Sequence, residues 1–175
     1  MVNVSSRWPF YGFVTFLVVL SGGFATGLWS MTLAGQPPPK IWLIVITYLI
    51  LYKKYPSNIV FSYFLLFWVQ QFTVAPLKVL MLDTLFVYAT LSFIRSKIFW
   101  FGSTYFLGAS VLAVFLFKIG YLIFSRLFEP SIAPVMFVDF ILELGWTVVF
   151  VLPIYRLMKW LDEKFDSEAR GDFVI

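Results

Sequence analysis

Apolar residues run through this chain in long blocks, and the polar residues fall mostly in the gaps between them. Six blocks stand out, at 10–29, 41–55, 58–75, 79–94, 98–118 and 133–155. A helix that crosses a membrane needs about 20 mostly apolar residues. The block at 41–55 falls short of that. Its uninterrupted part, Ile41–Tyr52, lies between Lys40 and Lys53-Lys54. At 1.5 Å per residue it covers about 18 Å of a hydrocarbon core about 30 Å thick. We expect it to cross with its lysines snorkelling and the bilayer thinning locally. Pro37-Pro38-Pro39 separates it from the first block, and Pro76 and Pro130 break the chain later.

Beyond Tyr155 the pattern changes. Leu157, Trp160, Leu161 and Phe165 share one helical face among Lys, Asp, Glu and Arg. This predicts a short amphipathic helix on the membrane surface, in a tail spanning 156–175. Asp162, Glu163 and Asp166 are expected there as solvated charges. The fold expected is all-α: a polytopic integral membrane protein with six transmembrane helices in one bundle over 1–155, followed by that tail. The first block follows Arg7, and Gly23-Phe24-Ala25 faintly resembles a signal-peptide cleavage site. We expect this segment to be retained.

Composition narrows the function classes. Of the 175 residues 61% are hydrophobic and 13% charged, against about 25% charged in soluble domains. That excludes an ordinary soluble enzyme and a disordered chain. The chain has no cysteine and no histidine. Disulfides, thiolate nucleophiles, Cys/His zinc sites and Ser-His-Asp triads are therefore absent. No phosphate loop or HExxH motif is present. No enzymatic activity and no cofactor or metal are expected. The net charge of +4 reads as a topology signal, with no segment suited to nucleic acid. With six crossings, nine basic residues fall on one side and four on the other. The richer side is expected to be cytoplasmic, with both termini there.

Ionisable residues within membrane segments are candidates for function. Asp83, Lys118, Asp139 and Glu143 all fall in the outer half of the bilayer when depth is counted from the outer boundary. Glu143 lies one turn below Asp139 on the same face. We expect Lys118 to contact Asp83 or Asp139 within the bundle or through water. The cluster serves either as a polar site or as a charge pairing that holds helices together. Ser21, Gly22, Gly23, Ala25, Thr26 and Gly27 give the first helix a small-residue face, including a GxxxG, on which another helix can pack closely. Gln70 and Gln71 are expected as a polar helix end at the interface. The dense aromatics at 61–68 and 99–106 are expected mainly toward lipid and its interfaces.

Three stretches carry a family resemblance. They are Pro39-Lys40-Ile41-Trp42-Leu43-Ile44-Val45-Ile46-Thr47-Tyr48-Leu49, then Pro76-Leu77-Lys78-Val79-Leu80 with Arg95-Ser96-Lys97-Ile98-Phe99, and the ending Val151-Leu152-Pro153-Ile154-Tyr155-Arg156-Leu157-Met158-Lys159-Trp160-Leu161-Asp162. With the size and segment layout, they resemble MreD, the rod shape-determining membrane protein family. The resemblance implies a non-enzymatic scaffold in the bacterial inner membrane. It implies as partners a single-span MreC-like protein, a RodA-type peptidoglycan synthase complex and the lipid bilayer. The layout is also similar to the substrate-binding subunits of energy-coupling-factor vitamin transporters. Those would place a small molecule near the outer face, where the charged cluster is expected.

Overall fold

Ile41–Tyr52 (α2) is apolar on every side, so lipid or protein can cover it, and here protein does. Leu43, Val45, Ile46, Leu49 and Ile50 indeed have no exposed surface. The computed structural model describes residues 8–33, 35–97, 102–128 and 137–165. Around α2 stand α1 (Trp8–Thr32), α3 (Ser57–Gln70), α4 (Leu77–Lys97), α5 (Ser103–Phe128) and α6 (Phe137–Phe165). The central helix touches all five, and every regular element among the described residues is helical.

Contacts at the two ends of the bundle fix the directions of the helices. Lys40 opens α2 and meets Glu143, early in α6, whereas Lys53 follows α2 and meets Asp162, late in α6. Helix α5 runs the other way, since Phe106 near its start packs on Tyr155 and Lys118 farther along meets Glu143. Helix α4 brings Arg95, in its last turn, beside the end of α2. Helix α1 starts with Phe10 under Lys53 and finishes with Trp29 against Trp146. All six helices thus run between a Glu143 end and an Asp162 end.

Four helices, α1, α4, α5 and α6, are long and apolar enough to cross a membrane. At 1.5 Å per residue the shortest of them covers about 32 Å. Their outward faces are apolar: Phe13, Phe16 and Leu20 on α1, and Ile141, Val149 and Leu152 on α6, are exposed. A water-soluble monomer does not present apolar surface of that extent. The protein is a membrane protein. Helices α2 and α3 are shorter, about 18 and 21 Å. For α2 that shortness carries no lipid penalty, because protein surrounds it and bilayer thickness constrains only what lipid touches.

Several boundaries differ from those the sequence pattern suggests. Helix α2 stops at Tyr52 and α3 at Gln70, short of 55 and 75. Helix α5 does not end at Lys118 but continues to Phe128. Lys118 turns into the bundle toward Glu143. Helix α6 passes Pro153 and Tyr155 without a break and runs to Phe165, so 156–165 is not a separate surface helix. Its inward face is Met158, Leu161 and Asp162, while Leu157 and Trp160 point outward. The expected segment starts at 98 and 133 and the tail beyond Phe165 lie outside the described residues.

Candidate functional site

A short buried helix leaves its terminal N–H and C=O groups without partners unless neighbours supply them. Here other helices do so at both ends of α2. The backbone N–H of Lys40 donates to Thr147 Oγ1 at 3.1 Å, and the Thr147 hydroxyl donates onward to the Glu143 carbonyl at 2.6 Å. At the far end, Arg95 Nη1 donates to the carbonyls of Ile50 and Lys53, both at 2.9 Å. Asn58 Nδ2 adds a 3.4 Å bond to the Lys53 carbonyl.

The Asp162 end is closed. Lys53 Nζ lies 2.7 Å from Asp162, and both side chains are less than a tenth exposed, at 8% and 7%. Tyr48 donates its hydroxyl proton to Asp162 Oδ2 at 2.5 Å. The Lys53 ammonium also sits over the Phe10 ring, 4.0 Å from its centre. Tyr48, Tyr52, Phe106 and Tyr155 pack ring on ring behind the pair, with Phe106 and Tyr155 5.0 Å apart.

The Glu143 end is open. Lys40 Nζ pairs with Glu143 Oε1, and Lys118 Nζ lies 3.6 Å from Oε2. The two lysine side chains keep 21% and 22% exposure. They face a partly enclosed cleft of about 430 Å³. Its walls are Ser21, Gly22 and Ala25 of α1, the Pro37–Pro39 entry, Trp42, and Val69 with Phe72. Val18, Thr73, Val74, Ala75, Leu80, Phe117 and Tyr121 also line it. Lys40 also lies 4.6 Å from the centre of the Phe117 ring.

The expected polar cluster is therefore regrouped. Lys118 meets Glu143 in place of Asp83 or Asp139, and Lys40 joins them. Asp83 is fully buried between α4 and α5, with its carboxylate against Gly120. Among the described residues neither of its oxygens has a hydrogen-bond partner. Asp139 is exposed and, among the described residues, joins no ion pair. The small residues of α1 split between two faces. Ser21 is buried, with its hydroxyl on the Val18 carbonyl, and Gly22 is packed against the Phe72 ring. Ala25 lines the cleft. Gly23 and Gly27 face outward, where an added Cβ meets nothing within 4 Å, and Thr26 is exposed beside them. Phe24–Trp29 winds as a π-helix, a form often found where function bends a helix. Gln70 closes α3 half-buried, and Gln71 beyond it is exposed. Of the aromatics, Phe64, Phe67 and Trp68 face outward but Phe106 is core, and 99–101 lie outside the described residues.

Lys40, Lys53 and Asp162 are the residues that sequence reasoning misplaced. The lysines bracket the short helix, which suggested interfaces. Asp162 sits in an amphipathic stretch, which suggested water, yet it is 5% exposed. A signal existed: α6 carries two acids 19 residues apart, about 28 Å. That matches a helix of about 18 Å with a lysine side chain extended from each end.

No protein-family model, curated protein or solved structure matches this chain. Among the described residues no three His, Cys, Asp or Glu side chains group to hold a metal ion. What the geometry offers is binding chemistry: an outward small-residue helix face, and a cleft with ammonium groups over an apolar floor.

Proposed function

We propose that this protein is a non-catalytic scaffold of the bacterial inner membrane, of the MreD kind. It would hold a single-span MreC-like partner and link it to a RodA-type peptidoglycan synthase complex. The supporting observation is the outer face of α1. Gly23, Thr26, Gly27 and Ser30 are spaced 3, 1 and 3 along the helix, so they share one side. All that lies beyond the two glycines is open space. The hydroxyls of Thr26 and Ser30 are turned back onto the carbonyls of Gly22 and Thr26, so this side is smooth as well as small. A partner helix there gains close backbone approach and van der Waals contact, which is the main attraction between helices in lipid. Gly22, by contrast, is already covered by Phe72.

In this reading all six helices cross, α2 and α3 doing so as inner, shortened spans. The Asp162 end is cytoplasmic. Among the described residues it carries Lys53, Lys54, Arg95, Lys97, Arg156, Lys159 and Lys164, against Lys40, Lys78, Lys118 and Arg126 at the other end. The test is co-purification of the MreC-like protein from the same bacterium in gentle detergent. Filling this face with Gly23→Ile and Gly27→Ile should reduce recovery at least tenfold without changing thermal stability. Recovery equal to the wild type would sink the scaffold reading.

The cleft of about 430 Å³ favours a second reading, the substrate-binding subunit of a vitamin transporter, since ligand sites commonly span about 300–1,000 Å³. A thermal-shift screen of vitamins separates the two. Stabilisation by several degrees with one vitamin selects the transporter.

A further inference from the structure

We propose that the cleft at the Glu143 end binds a small organic acid, with Lys118 anchoring its anionic group and the apolar floor taking its body. A lysine ammonium has three N–H donors. Among the described residues the partner of Lys118 is Glu143, at 3.6 Å, which is beyond hydrogen-bond range. Lys40 is engaged more closely, by the other oxygen of Glu143 and by the Phe117 ring. Among the described residues that form the cleft wall, two ammonium groups thus face one carboxylate, that of Glu143. Asp83 is fully buried behind this wall against Gly120 and does not line the cleft.

The walls decide the rest of the ligand. Trp42, Val69, Phe72, Leu80 and Phe117 line the cleft together with the two lysines. An inorganic anion would leave that apolar volume unfilled. A neutral apolar molecule would leave Lys118 unsatisfied. A monoanion with an aromatic or short aliphatic body meets both demands, and the volume admits one such molecule. A free acid of this size fits whole within about 430 Å³, whereas the two acyl tails of a phospholipid do not. This proposal does not rest on the Gly23–Gly27 face, and either can fail alone.

The probe is 2-naphthoate, added to the full chain in nanodiscs of neutral phosphatidylcholine. Binding is read as energy transfer from tryptophan, Trp42 being in the cleft. Saturable binding is expected, weakened about tenfold or more by Lys118→Gln and largely restored by Lys118→Arg. The neutral isostere 2-naphthamide and body-free acetate should each compete at least tenfold more weakly. Lys159→Gln, at the opposite end, should bind as the wild type does. Thermal melting of each variant reports whether the fold is intact. Absence of saturable binding overturns the proposal, as does naphthamide binding equally well or unchanged affinity in a folded Lys118→Gln protein. Displacement of the probe by phosphatidylglycerol in the nanodisc would assign the anchor to a lipid headgroup and overturn the free-acid ligand.

Discussion

The two ends of α2 use the same device and reach different results. At each end a lysine beside the short helix pairs with an acid on α6. At the Asp162 end the pair is sealed by Phe10, Tyr48 and the rings of Tyr52, Phe106 and Tyr155. At the Glu143 end the acid is shared by two lysines, and the cleft beside them stays open. The difference lies in what surrounds the charges. A pair less than a tenth exposed, with a ring over its ammonium and a tyrosine on its carboxylate, holds helices together. A shared acid with an ammonium left over can also receive something. The first end reads as a clamp, and the second as a site.

That contrast is broken most directly at the clamp. Asp162→Ala would leave the Lys53 ammonium, 7% exposed, without this carboxylate. Removing one member of a buried pair costs about 3–5 kcal/mol. The expected outcome is a loss of that size in denaturant-induced unfolding of the detergent-solubilised protein. Tyr48→Phe, which removes only the hydrogen bond to Asp162, should cost about 1.5–3 kcal/mol, the range for a bond to a charged group. If Asp162→Ala unfolds like the wild type, the closed end is no clamp.

The next effect tests whether the packing between α4 and α5 behind the site is rigid. A methyl group at Gly120 would fall on the Asp83 carboxylate and within 3.3 Å of Phe86. Asp83 has no exposed surface into which to move. Overpacking of this kind costs about 1–3 kcal/mol. Gly108→Ala on the same helix meets nothing within 4 Å and should leave stability within about 0.5 kcal/mol. Equal melting of the two variants would mean that Asp83 is free to shift.

Glu143→Gln comes third. It removes the acid from both Lys40 and Lys118, yet each keeps about a fifth of its side-chain surface exposed. Both ammonium groups can therefore turn to water, and the loss should be about 1–2 kcal/mol, between exposed and buried pairs. The same change should tighten 2-naphthoate binding, because a competing anion has been removed. A loss as large as that of Asp162→Ala would erase the distinction between the ends.

The bundle is written in the chain's composition and its apolar blocks, because a membrane helix needs an apolar surface wherever it lies. Two features escape that logic. An all-round apolar run such as Ile41–Tyr52 looks the same whether lipid or protein covers it, so its central position had no local signal. A charge within a run, such as Lys118, marks an interface or a partner equally well. Depth along the helix places Lys118 and Glu143 at similar levels, but pairing depends on rotation about each helix, which packing sets. Gly120 gives no sequence signal at all. Its role exists only because α4 brings Asp83 across it.

The smallest expected effect bounds the site. Asp139 lies one turn before Glu143, and depth alone would enrol it in the same layer. It is exposed, and among the described residues it forms no ion pair. An exposed charge without a fixed partner contributes little, because solvent already stabilises it and substitutions at such positions stay within about 0.5 kcal/mol. Asp139→Asn should therefore unfold as the wild type does and bind 2-naphthoate with affinity unchanged within twofold. A clear gain in affinity would show that the Asp139 charge reaches the cleft. The site would then extend a full turn toward the start of α6, and the charge balance that selects an anion would need that carboxylate counted in.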